Sequence, residues 1–189
     1  MEKVKKTVKK AFKNADELVA DIVAKRSSIR KVLDADAGKA YAKKYFDKVV
    51  KNGNFEDWYE NTFKKYDLKN EPLNFEVHHV IPINVLNKSP KLKELLYWAQ
   101  KNGKQFDFNS VDNGIPLPKK RIKYDISGHS KHPKYDSAIE GKIHNILDNS
   151  LLDEGDKFNE LRQLINNAKN KLEEEVLLGT RDVNEIIDL

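Results

Sequence analysis

All five histidines of this 189-residue chain stand between positions 78 and 144, where the helical periodicity of both ends gives way to two short extended pieces. The first is Asn74-Phe-Glu-Val-His-His-Val-Ile-Pro82. It is apolar, β-branched and ended by a proline, which is a strand signal. The second is Asn113-Gly-Ile-Pro-Leu-Pro118. Its prolines suit a sheet edge rather than a centre. The fold must therefore seat a small β element inside a mostly helical chain.

Outside that stretch the apolar period is three to four residues. Val4, Val8, Phe12, Ala15, Val19, Ile22 and Val23 share one face of an opening helix whose other face is rich in lysine. Further helices are expected over Ser28 to Leu33, Gly38 to Val50 and Phe55 to Tyr66. Turns are expected at Lys51-Asn-Gly-Asn54 and Lys69-Asn-Glu-Pro72. Leu92 to Lys101 reads as a short helix, and another starts near Pro133 with Tyr135, Ile139, Ile143 and Leu147 inward. The tail stripe Phe158, Leu161, Leu164, Ile165, Ala168, Leu172 and Val176 stops at Gly179. A last short helix is expected from Thr180, with Val183, Ile186 and Ile187. The pattern predicts an α+β, mostly helical chain in three segments: helical 1–70, a β-containing core over 71–150, and helical 151–189.

Cysteine is absent, so disulfides, thiolate metal sites and cysteine nucleophiles are excluded. No run approaches the roughly 18 apolar residues of a membrane span. Charge is uneven. Residues 1–70 carry 18 Lys and Arg against 11 Asp and Glu, residues 71–150 carry 12 against 9, and residues 151–189 carry 5 against 10. A basic first part with an acidic tail fits a polyanionic ligand approached from one side.

The histidine spacing carries the chemistry. His78-His79 close the strand, and His129-x-x-His132 open a helix some fifty residues later. Neutral imidazole is the commonest metal ligand, and such pairs can converge on one ion without any thiol. His144, alone on a helix, reads as an ordinary surface or core residue. Neighbours in a regular strand point to opposite faces. His78 and His79 can serve one site only if the strand ends or bulges there, and Pro82 favours an ending.

Val77-His-His-Val-Ile-Pro82, then Asp107-Phe-Asn-Ser-Val-Asp-Asn-Gly-Ile-Pro-Leu-Pro118, then His129-Ser-Lys-His-Pro-Lys-Tyr135 resemble the HNH/endonuclease VII superfamily of nucleases. The closest branch is the one named for its AHH motif, with Val77 standing where that branch usually has alanine. The resemblance covers about residues 74–150. It implies a ββα-metal (His-Me finger) core with one divalent ion, of Zn, Mg, Mn or Ni. It implies His78 as a metal ligand and His79 as general base, with Asn113 holding the loop that orients the base. His129 and His132 would face the metal, which of them ligates directly being open. Tyr135 would touch substrate phosphate or buttress the site. Lys119, Lys120, Arg121 and Lys123 could neutralise flanking phosphates, contacts that carry affinity without sequence information.

Members of the branch are common as C-terminal toxin domains of bacterial polymorphic toxin systems. The resemblance thus implies a DNase delivered into the cytoplasm of a competing cell, and a cognate immunity protein. An RNase on the same scaffold and a non-catalytic zinc-containing nucleic-acid-binding module remain the alternatives. A closed four-histidine site would favour the last, because catalytic zinc keeps a position open.

Overall fold

A computed structural model describes residues 14–24, 35–63, 66 and 75–189. The start of the opening helix, the expected helix over 28–33 and the break at 69–72 lie outside the described residues. Helix α1 covers residues 14–24. Helix α2, Ala35–Tyr45, runs into a π-helical turn at Phe46–Val50 and stops at Lys51, which takes a left-handed φ of 60°. Helix α3 is Phe55–Phe63. Strand β1, Phe75–His79, leads to α4, Ile83–Lys88, and α5, Pro90–Lys101. Strand β2 is Gly114–Pro118. Helices α6, Pro133–Leu147, and α7, Glu154–Leu172, follow, α7 continuing as a π-helical turn over Glu173–Leu177. A 3-10 turn, Val183–Glu185, comes last.

Helix α4 is absent from the sequence reading. Its six residues are too few for a period to show, and it starts directly on Pro82. Ser89 then caps α5 by accepting from the Leu92 amide at 3.3 Å, so α5 begins two residues earlier than expected. The last turn begins after Asp182 rather than at Thr180, because Asp182 and Glu185 cap each other's backbone. Ile187 remains exposed.

The two strands pair antiparallel, with Phe75 opposite Pro118 and His79 opposite Gly114. A two-stranded sheet has only edges, so Pro116 and Pro118 remove no interior ladder bond. Gly114 must be glycine: a Cβ there would collide with the Tyr41 hydroxyl, the Ser110 carbonyl and Val77. The apolar stripe of α7 (Phe158, Leu161, Ile165, Ala168, Leu172) is buried, as are Leu92, Leu95 and Leu96 of α5 and Ile139 and Ile143 of α6. These join one core with Val19 of α1, Phe46, Phe63 and Ile186, so all three segments of the chain contribute to it. No helix among the described residues is long and apolar enough to cross a membrane.

Candidate active site

Strand β1 ends at His79, and its last two residues face opposite ways. His78 is completely buried and looks towards the start of α6, its ring centroid 4.8 Å from His132, 5.1 Å from His129 and 5.0 Å from Tyr135. His79 is half-buried and stacks beside Phe108 at 5.8 Å. A cleft of about 730 Å³ runs past the strand end and is lined by His79, His129, His132, Glu76, Lys119 and Asp136, among others. No bulge is needed: the strand stops, and the cleft collects what lies on both sides of its end.

The imidazoles at the start of α6 are held by carboxylates. Glu76 Oε2 lies 2.5 Å from His129 Nδ1, and Asp136 Oδ1 lies 2.6 Å from His132 Nδ1. A carboxylate on Nδ1 keeps the proton there and leaves Nε2 with a lone pair. The two Nε2 atoms stand 3.2 Å apart. Two lone pairs at that distance repel unless a positive charge lies between them. His78 adds to the same argument, because neither of its buried ring nitrogens has a hydrogen-bond partner. An orphaned buried polar atom costs about 1–3 kcal/mol. One nitrogen from each of the three rings lies within 4.8 Å of the others. Nitrogens about 2.0–2.1 Å from a shared tetrahedral ion stand roughly 3.3 Å apart, which matches the 3.2 Å separation of His129 and His132. The three residues fit a divalent cation.

Burial keeps two of them, His78 and His132, in the ligating form. Burial, followed by the neighbouring His129 and His132, holds the pKa of His78 well below the ordinary histidine value. Burial also lowers His132, outweighing the opposite pull of Asp136. Both rings are therefore neutral at neutral pH.

Amides hold the other side. Asn109 Oδ1 lies 3.2 Å from His79 Nε2, and its Nδ2 donates to the Ile22 carbonyl of α1 at 2.9 Å. Because Nδ2 is committed to a carbonyl, the oxygen is the atom turned to His79. Asn113 is fully buried: its Oδ1 accepts from the Ile81 amide at 2.8 Å and its Nδ2 donates to the Ile81 carbonyl at 3.1 Å. The Val80 amide also donates to the Asn113 carbonyl at 2.8 Å. Asn113 thus prolongs the strand pairing beyond His79 and fixes the backbone that follows it. Lys169 of α7, only 2% exposed, donates to the carbonyls of Val111 and Asp112 at 2.5 and 2.8 Å and so secures the loop leading into Asn113. Burial brings its pKa down to about 8.

The remaining sequence candidates divide. Tyr135 is fully buried and donates to the Val80 carbonyl at 2.8 Å, the position of a buttress behind His78 with no surface in the cleft. Lys119 lines the cleft and lies 3.9 Å from Glu76, and Lys120 pairs with Asp182 at 3.1 Å. Arg121 and Lys123 belong to the loop beyond, and His144 is exposed on the last turn of α6. Glu76, Asp136 and Asn109 were missed. Two of the three had a signal: Glu76 shares the face of His78 at strand period two, and Asp136 is four residues from His132 on a helix. Asn109 had none, because only the tertiary fold brings it to His79.

Strand end, loop and helix start together define a histidine-built cleft suited to polar hydrolytic chemistry. Residues 60–172 match the sequence model of AHH, a nuclease family of the HNH/ENDO VII superfamily with conserved AHH. The match covers more than half of the chain, and the chain belongs to this nuclease family. It reaches further than residues 74–150, taking in the end of α3 and the whole of α7. No curated protein and no solved structure gives a significant match.

Proposed function

We propose that the protein is a metal-dependent endonuclease that hydrolyses phosphodiester bonds of DNA, with β1, β2 and α6 forming a ββα-metal core. The observation that carries the reading is the division of the histidines. Three converge nitrogen to nitrogen, while His79 is turned away to Asn109 and still lines the cleft. A structural zinc site has no use for that fourth histidine.

In the mechanism His78, His129 and His132 would hold the ion. Bound there, a divalent cation supplies positive charge against the developing charge on the phosphate and leaving oxygens. His79 takes the proton of the attacking water, a role imidazole can fill near neutral pH. Asn109 turns the ring by accepting at Nε2, which leaves Nδ1 as the basic nitrogen. Asn113 holds the backbone after His79 so that the ring meets the phosphate at a fixed distance. Glu76 and Asp136 orient the two outer imidazoles. Lys119 stands at the cleft edge to meet a phosphate, and Lys120, Arg121 and Lys123 extend a basic track beside it. An all-imidazole set favours zinc or nickel among candidate ions.

The wider proposal is a toxin module acting in the cytoplasm of a target cell and restrained by an immunity protein. The basic balance of residues 1–150 favours an acidic inhibitor seated on the Lys119–Lys123 track. The deciding experiment incubates the purified chain with plasmid and with total RNA, with chelator and with a panel of divalent ions. Metal-restored cutting of plasmid is expected. Cutting of RNA alone would replace the substrate, and no cutting with any ion would overturn the reading.

A further inference from the structure

The loop between β2 and His129 carries a feature that hydrolysis does not use. Its stem is pinned twice. The His129 amide donates to the Pro118 carbonyl at 2.8 Å and the Lys120 amide to the His129 carbonyl at 3.3 Å. Further out, Arg121 and Ile126 exchange two backbone bonds of 3.0 Å. Residues 122–125 are therefore a tight turn on a braced stem, closed by Asp125 in the left-handed region at φ 51°. Ile126 packs against the core, whereas Ile122 is 88% exposed. Lys119, Lys120, Arg121 and Lys123 surround it in sequence.

Scattered exposed apolar residues are ordinary on protein surfaces. Ile122 differs in its mounting. The stem starts at Lys119 and returns at His129, and both of these residues line the cleft. Four cations within five positions would hold the loop against a phosphate backbone. A loop held there would bring the one apolar side chain among them, Ile122, to the duplex, where the base stack is the apolar surface it could enter. Apolar wedges of this kind part a base step and bend the duplex, and a branched aliphatic chain suits that task.

We propose that Ile122 is a wedge that enters double-helical DNA between neighbouring base pairs beside the cleft. This inference rests on the nuclease reading and names its substrate as a duplex that must be locally unstacked. The flanking cations position the loop, and Ile122 makes the response depend on how easily a step opens.

The test uses the full chain carrying His79→Ala, so that DNA survives the measurement. Binding is followed by anisotropy on a short duplex and on its single strand, and unstacking by 2-aminopurine placed at successive steps. Adding Ile122→Ala should weaken duplex binding about tenfold, equivalent to roughly 1.4 kcal/mol, and abolish the 2-aminopurine signal. Single-strand binding should be unchanged. Lys123→Ala should weaken both and lower the salt slope by about one. Equal loss on both strands, undisturbed duplex binding, or no 2-aminopurine response in the parent would each overturn the wedge. So would duplex binding that survives Ile122→Ala while binding of an acidic protein is lost. Plasmid cleavage by the wild-type chain, read separately, keeps failure of the wedge distinct from failure of the nuclease reading.

Discussion

His78 and His79 are neighbours in one strand and live in opposite surroundings. His78 is sealed, with both nitrogens unpartnered, among two imidazoles backed by carboxylates. His79 reaches the cleft and is held by the amide of Asn109. Charge marks the difference. A carboxylate on one ring nitrogen strengthens the other as a donor to a cation. A neutral amide aims a ring without adding a charge that would hold an extra proton on it. Strand alternation thus sorts two identical side chains into two chemical settings one residue apart.

The sharpest way to break the comparison is to remove each ring in turn. His79→Ala should lower cleavage by about 10²–10⁴ while calorimetry finds metal binding intact. His78→Ala should abolish both metal binding and cleavage, and with it the rise in Tm that the ion gives the wild-type chain. If both variants lose the metal equally, His79 belongs with the ligands and the two sides are one.

The next largest effect concerns the amide side. Asn113→Ala should slow turnover roughly 100-fold with metal affinity unchanged, because the Ile81 backbone after His79 loses both its bonds. Asn109→Ala should act in the same direction, and Asn109→Asp should shift the pH–rate profile by placing a charge on the ring. Matching profiles for Asn109→Asp and wild type would show that Asn109 does not act on His79.

On the carboxylate side, Glu76→Gln should weaken metal binding about 10–100-fold, since an amide oxygen can still accept from His129 Nδ1 but no longer brings the charge that strengthens Nε2 as a ligand. Cleavage at saturating metal should recover. Activity that stays low when the metal is saturating would place Glu76 in the chemistry itself.

These residues also show what the sequence can carry. The histidines, both strands and the start of α6 at Pro133 were legible, because each is a local pattern: a β-branched run, a Pro-rich edge, a helix-opening proline. Asn113 was legible only through resemblance. Asn109, Lys169 and the Ile22 carbonyl were not legible, because their partners lie 30, 57–58 and 87 residues away. A lysine inside an apolar helix stripe reads as solvated until a loop carbonyl is found beside it. Tyr135 suits either a substrate contact or a buttress by sequence alone; in the fold it is fully buried, its ring 5.0 Å from His78.

The smallest effect is on stability, and its sign follows from burial. The pKa of His78 is held well below its ordinary value, first by burial and then by His129 and His132, and that of His132 is also lowered. In the unfolded chain these rings titrate near 6.5. Above that pH neither state takes up their protons, and their contribution is flat. As pH falls below about 6.5 the unfolded chain gains protons that the folded one refuses, so stability is lost until the depressed folded values are passed. Metal-free protein should therefore show a Tm that falls between pH 7 and 5. His78→Leu, which removes one such ring from the buried face, should make that fall shallower. His79→Ala, on the open side of the strand, should leave most of it in place. Equal slopes for the parent and His78→Leu would show that the sealed imidazole takes up its proton as easily as an exposed one, and the contrast between the two faces of β1 would lose its electrostatic basis.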